Sequence, residues 1–162
     1  DSDEKGGCTF IGGEWKDVTT DELFKGKKVV LFSLPGAFTP TCSGQQLPYY
    51  DELYQKFIDK GIDDVYCISV NDAFVMNAWA RDLGIKNVKM IPDGDGMFTI
   101  SMGMLVNKPK QGFGMRSWRY SAVINDGVVE IFNEEPGIND FSNDGDPYEV
   151  SDPETMLKSL DK

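Results

Sequence analysis

The sequence predicts an α/β domain built on a mixed central sheet flanked by helices. Two apolar runs carry most of that expectation. "VVLFSL" (29–34) and "VYCISV" (65–70) are rich in β-branched residues and lack alternation, the pattern of strands covered on both faces. A third signal is "RYSAVINDGVVEIF" (119–132), two strand-like runs joined by Asn125, Asp126 and Gly127, residue types that accept the left-handed backbone of a tight hairpin. With 162 residues, 40% of them hydrophobic, the chain is expected to form one domain over residues 1–162 with its own core.

The remaining elements follow in order. Residues Trp15 to Thr20 read as the end of a short hairpin, and "TTDEL" carries a helix N-cap pattern with Asp21 and Glu22 in the first turn. After "VVLFSL" the segment "SGQQLPYYDELYQKFIDKG" places Leu47, Tyr50, Tyr54, Phe57 and Ile58 at helical spacing. Pro48 falls inside that helix and should kink it, because proline removes a backbone donor and crowds the preceding turn. "NDAFVMNAWARDLG" begins with a cap in Asn71 or Asp72, stops at Gly84, and is expected to gather Phe74, Val75, Ala78 and Trp79 on one face. A last helix, "PETMLKSL", has Ser151 or Asp152 as its cap and Pro153 at its first position. The order β, α, β, α, hairpin, helix points to a thioredoxin-like fold, in which ligands sit beyond the carboxyl ends of the parallel strands.

Charge and composition exclude several functions. A net charge of −11 without a basic cluster repels phosphate backbones and anionic lipid, so neither nucleic acid nor a membrane is expected as a partner. No apolar run approaches the roughly 20 residues of a membrane span. The three cysteines, Cys8, Cys42 and Cys67, form no CxxC pair and no metal-like spacing, which argues against a disulfide framework or a zinc site. Free thiols favour a reducing compartment, the cytoplasm or, if a leader has been removed, an organelle matrix.

Cys42 stands out by its surroundings. It follows the first buried strand across "PGAFTPT" and begins a helix, where free backbone N–H groups and the helix dipole favour a thiolate. Pro35 and Pro40 fix the approach, and the Thr39 hydroxyl lies three residues before the sulfur, able to donate and accept. The alternative is a buried structural cysteine, a common state for a free thiol. With no histidine in the chain, Cys-His hydrolases and transferases are excluded, and activation falls to a permanent cation. Only three arginines are present, Arg81 on the amphipathic helix and Arg116 and Arg119 in "GMRSWRYS".

These residues carry a resemblance. "PGAFTPTC" resembles the PxxxTxxC motif of peroxiredoxins, and "FSLPGAFTPTCS" is similar to the type-five (type II) subfamily in particular. The likeness runs through "SVNDAFVMNAW", "IPDGDGMFT", "GFGMRSWRYSAVINDGVVE" and "DPYEVSDPETMLK", covering nearly everything beyond the first ten residues. The last three stretches are closest to bacterial members that carry a fused glutaredoxin domain, a segment of which the sequence to Lys162 shows nothing. The resemblance implies that Cys42 is the peroxidatic cysteine, that Thr39 hydrogen-bonds the peroxide, that Pro35 shields the thiolate from water, and that Arg119 holds the thiolate and the peroxide oxygens. The implied activity is reduction of hydrogen peroxide and small organic hydroperoxides through a sulfenic acid, with no cofactor and no metal.

Two departures from the family pattern shape the expectation. Many relatives have a histidine four residues after the cysteine, where this chain has Gln46, so a titrating group is lost there. Some relatives keep a resolving cysteine in the loop that here reads "NEEPGINDFSNDGD", which has none. The enzyme is therefore expected to work with one cysteine and to borrow the thiol of glutathione or glutaredoxin first, thioredoxin second. Cys67 reads as a core residue, and Cys8 would reach Cys42 only if the N-terminal arm folded across the site. A weakly held homodimer is implied on the active-site side, with Phe38 and Trp79 as apolar candidates. Arg116 reads as a partner in a surface or dimer-face salt bridge. A different class of function, a redox-responsive binding protein whose sensor cysteine turns over little, uses the same thiolate; a thiol-disulfide oxidoreductase is disfavoured by the missing CxxC.

Overall fold

The computed structural model describes residues 16–138 and 145–162, together with the backbone of two short strands, β1 (Asp3–Glu4) and β2 (Phe10–Ile11), paired antiparallel. The expected hairpin end at Trp15 to Thr20 is not where strands lie: residues 16–19 carry none, and Trp15 and Cys8 fall outside the described residues. Helix α1 (Thr20–Phe24) starts at Thr19, whose hydroxyl accepts from the Glu22 amide while the Glu22 carboxylate accepts from the Thr19 amide, a full capping box.

The central sheet has five strands. Strands β3 (Lys28–Ser33), β4 (Asp64–Ser69) and β5 (Lys89–Pro92) are parallel, β8 (Tyr120–Asn125) pairs antiparallel with β3, and β9 (Val128–Glu134) pairs antiparallel with β8, giving the order β5-β4-β3-β8-β9. The mixed α/β prediction is therefore met, with β5 as an added edge strand that the patterning does not disclose. Two further elements are also undisclosed by it, helix α5 (Met97–Ser101) and a small antiparallel pair, β6 (Leu105–Lys108) with β7 (Gly114–Ser117). The turn between β8 and β9 has Asp126 at φ +48° and Gly127 at φ +79°, as the Asn-Asp-Gly sequence anticipates.

Alternate residues of β3 feed two cores. Val30 and Phe32 point into one layer with Leu47, Tyr50, Phe57, Cys67, Trp79 and Met156, while Val29 and Leu31 point into the other with Tyr66, Ile68, Trp118, Tyr120 and Ile124. Each such buried Leu, Val or Phe side chain contributes about 1.5–3 kcal/mol, which makes the centre of the sheet the rigid base from which the loops project. Phe32 stacks on Tyr50 with ring centroids 3.9 Å apart, and Tyr50 in turn stacks on Phe57 at 5.8 Å.

The helix after β3 is broken, as Pro48 leads one to expect, but into three pieces. A π-helical turn (Cys42–Gln46) leads into α2 (Leu47–Glu52) and, past a break at Leu53, α3 (Tyr54–Asp59). The Leu47 amide reaches back five residues to the Cys42 carbonyl, and Pro48 has no amide with which to restore four-residue spacing. Helix α4 (Ala73–Asp82) is capped by Asp72, whose carboxylate accepts from the Val75 amide. Its buried face is Met76 and Trp79, whereas Phe74, expected on that face, is exposed. Helix α6 (Pro153–Ser159) is capped by Asp152 and packs Met156 into the first core layer. No helix among the described residues is long and apolar enough to cross a membrane.

Candidate active site

The four residues singled out from sequence lie at the carboxyl end of β3. Pro35 is buried directly beyond the strand. Gly36 follows it with no room to spare, since a Cβ there would stand 3.0 Å from Nη1 of Arg116. The Ala37 amide donates to the Asn71 side chain (3.0 Å), which itself accepts from the Ser69 hydroxyl (2.7 Å), so the loop is tied to the end of β4. Phe38 takes φ +62°, a left-handed conformation rare for an aromatic residue. Thr39 folds its hydroxyl back to donate to the Gly36 carbonyl (2.7 Å), leaving the oxygen's lone pairs free to accept from another group. The Thr39 carbonyl then receives the Ser43 amide (3.0 Å), and Cys42 falls in the first turn of helix.

Cys42 is only 1% exposed, and the Nη1 of Arg119 lies 3.5 Å from its Sγ. Arg119 comes from between β7 and β8 and is equally buried, at 1%. Every arm of its fork is used. Nε donates to the Pro147 carbonyl (3.1 Å), Nη2 is paired with the Asp146 carboxylate, and Nη1 is shared between the Cys42 sulfur and Oε1 of Gln46. The Tyr148 ring lies against the guanidinium, 5.6 Å from its centroid to Cζ. Burial opposes the charge on Arg119, but the Cys42 sulfur and the Asp146 carboxylate outweigh it, and the guanidinium is held above its ordinary range. A fixed cation is thus pressed against a sulfur in a site that water scarcely enters. Such a donor can stabilise negative charge that develops on an atom bound beside the sulfur.

Several sequence expectations change here. Among the described residues Arg116 has no ion pair; it donates to the carbonyls of Phe113 (3.0 Å) and Val70 (3.3 Å) and braces Gly36. Trp79 is fully buried, with its Nε1 donating to the Ser43 hydroxyl (2.9 Å), so it cannot face a partner subunit. Phe38, by contrast, is 54% exposed. Cys67 sits mid-strand opposite Phe32, and burial pushes its thiol well above the ordinary range, with neighbouring Cys42 adding to the effect. Gln46, in sequence no more than the loss of a titrating group, has a place in the site. It lies buried on the Cys42 face of the helix and bonds Arg119, a placement that four-residue helical spacing could have suggested. Asp146 and Pro147 fall in the stretch "DPYEVSDPETMLK" that carries the resemblance, but nothing in the sequence ties them to Arg119, 27 and 28 residues away.

Comparison with known proteins bears on the same site. The family model described as Redoxin matches residues 8–146. The chain is 62% identical over 146 residues to a peroxiredoxin of Rhizobium etli, covering 90% of this chain and 81% of that protein. It is 56% identical to the hybrid peroxiredoxin hyPrx5 of Haemophilus influenzae over 94% of this chain, which spans 61% of that longer protein. Among solved structures, the Plasmodium falciparum antioxidant protein, a 1-Cys peroxiredoxin, superposes with a TM-score of 0.86 at 41% identity, covering 89% of this chain and 84% of that one.

Proposed function

The chain belongs to the redoxin family and is a peroxiredoxin, an enzyme that reduces peroxides with thiols, and from that premise we propose that Cys42 is its peroxidatic cysteine, working with Arg119, Thr39 and Pro35. The observation that carries the assignment is the 3.5 Å approach of the Arg119 guanidinium to a sulfur that is almost wholly buried.

The Cys42 thiolate attacks one peroxide oxygen along the O–O axis. An S–O bond forms, the O–O bond breaks, and its electron pair leaves with the distal oxygen as hydroxide or alkoxide, which takes a proton from water. Cys42 is left as a sulfenic acid. Arg119 stabilises charge as it passes from sulfur to oxygen, the Thr39 oxygen accepts a hydrogen bond from the peroxide, and buried Pro35 keeps water from competing. A first external thiol condenses with the sulfenic acid, releasing water and forming a mixed disulfide. A second thiol then frees Cys42, so two thiols are oxidised for each peroxide reduced.

We assign the resolving thiol to an external molecule, since Cys67 is locked inside β4, the loop after β9 has no cysteine in its sequence, and Cys8 would have to bring the N-terminal arm across the site. The 1-Cys character of the Plasmodium relative supports the same reading. We assign glutathione with glutaredoxin first and thioredoxin second, in a reducing compartment such as the cytoplasm, with hydrogen peroxide and small alkyl hydroperoxides as substrates. Association as a homodimer is supported by exposed Phe38 and Met115, which flank the close approach of Gly36 and Arg116 beside the site loop. Stoichiometric peroxide consumption by the reduced protein, followed by turnover with each thiol system, tests the enzyme reading. Consumption no faster than that of a free thiol at the same pH would overturn it. Sedimentation showing monomer alone at micromolar concentration in both redox states would overturn the dimer.

A further inference from the structure

We propose that Glu135 is a positioning residue for Arg119, clamping the 145–151 segment so that the guanidinium keeps one arm on the Cys42 sulfur; the inference rests on the peroxidase reading above. Glu135 follows directly on β9 and is fully buried, a rare state for a glutamate. Its Oε1 accepts from the amides of Glu149 (2.9 Å), Val150 (2.9 Å) and Ser151 (2.8 Å) and from the Ser151 hydroxyl (2.7 Å), and Oε2 accepts again from Glu149 (2.9 Å). A carboxylate buried to this degree is tolerated only when its lone pairs are met, and here backbone donors of one short segment meet them.

The main chain of Glu135 closes the circuit. Its amide donates to the Arg119 carbonyl (3.1 Å), and its carbonyl accepts from Nε1 of Trp118 (2.8 Å). Glu135 is thus bonded by its backbone to the residue that carries the guanidinium, and by its side chain to the segment that grips the guanidinium's far end. Asp146 and Pro147 take Nη2 and Nε, which leaves Nη1 as the arm aimed at Cys42 and Gln46. Tyr50 adds a second fastening through the Ser151 carbonyl (2.6 Å), and Lys108 a third through the Gly145 carbonyl (3.2 Å). Loosening the segment frees two of the three arms, and the third loses its direction. A small displacement of this kind weighs heavily on a reaction that depends on preorganised donors.

The test is a double-mutant cycle read by single-turnover oxidation of Cys42 with hydrogen peroxide. Glu135→Ala should lower the rate about tenfold or more with Arg119 in place, and by less than about twofold in the Arg119→Ala background, because the two residues act as one unit. Glu135→Gln keeps one acceptor oxygen but turns an NH2 toward the Glu149 amide, and should recover a large part of the rate. If Glu135→Ala does not fold, Glu135→Gln and Ser151→Ala carry the same cycle with smaller losses. Amide exchange at Val150 and Ser151 should quicken in both Glu135 variants. Equal losses in the two backgrounds, or unchanged amide exchange, would overturn the clamp and leave Glu135 as ordinary core support. A parent protein that fails to consume peroxide breaks the peroxidase reading instead. The clamp is then decided by the same cycle run on Cys42 alkylation with iodoacetamide, where additive effects overturn it.

Discussion

Cys42 and Cys67 occupy the same hydrophobic core and are both cut off from solvent. Cys67 lies in the middle of a strand, opposite Phe32, where burial disfavours its ionised form. Cys42 lies in a first helical turn with a guanidinium 3.5 Å from its sulfur. Burial alone holds a thiol protonated; on the function proposed above, a fixed cation beside the sulfur is what lets the same chemical group serve as a nucleophile. The difference resides in Arg119 and in the loop that holds the helix start, and it can be broken from either side.

Removing the sulfur has the largest expected effect. Cys42→Ser should bring peroxide consumption to the background of a protein without a reactive thiol, while Cys67→Ala keeps the rate within about twofold and costs about 1 kcal/mol of stability as a small cavity. Stoichiometric peroxide assays and denaturant melts of the two variants check this pair, and full activity in Cys42→Ser would end the contrast.

Next comes the cation. Arg119→Lys retains charge but replaces a planar fork that meets four groups with one compact ammonium, and should lower the single-turnover rate about tenfold or more, equivalent to about 1.4 kcal/mol of transition-state stabilisation. A lysine variant as fast as the parent would show that charge alone suffices.

The inert cysteine supplies a pH signature. The Cys67 thiol is raised in the folded state, so above the ordinary thiol range, near pH 8.5, the unfolded chain loses a proton that the folded chain keeps. Stability is full below that pH and declines as pH rises, by up to about 1.4 kcal/mol per pH unit from this group. Denaturant unfolding between pH 7 and 10 should show the decline in the parent and a shallower one in Cys67→Ala. Matching slopes would mean that Cys67 is not held protonated.

Arg116→Lys should be mildest, a loss of a few-fold in peroxide rate, because Arg116 acts by bracing Gly36 and not by touching the sulfur. A loss exceeding that of Arg119→Lys would reverse the roles of the two arginines.

Much of the fold is legible in the sequence, for local reasons. The buried strands, the Thr19 and Asp72 caps and the Asp126-Gly127 turn are each written in a few consecutive residues, and Pro48 signals an irregular helix. What stays hidden is set by tertiary rotation and by contacts distant in sequence. Helical periodicity marks a stripe on α4, yet it cannot choose between a face holding Phe74 and one holding Met76; the Trp79–Ser43 bond chooses. Arg119 is legible through resemblance and Gln46 through its helical spacing from Cys42, whereas the grip of Asp146 and Pro147 on the guanidinium is not, and neither is the part of Glu135, whose partners are backbone amides 14 to 16 residues on. Backbone amides leave no trace in composition. The short edge strand β5 escapes notice because its residues are exposed or half-exposed and lack a strong apolar signature.

Phe38 gives the site loop a thermodynamic history. An aromatic side chain in left-handed backbone costs about 1–3 kcal/mol against a glycine at the same place, and more than half of its surface still faces water. Random substitution should find glycine there easily and be rewarded with a higher melting temperature. In the chain by itself the ring therefore brings backbone strain without the burial that would offset it.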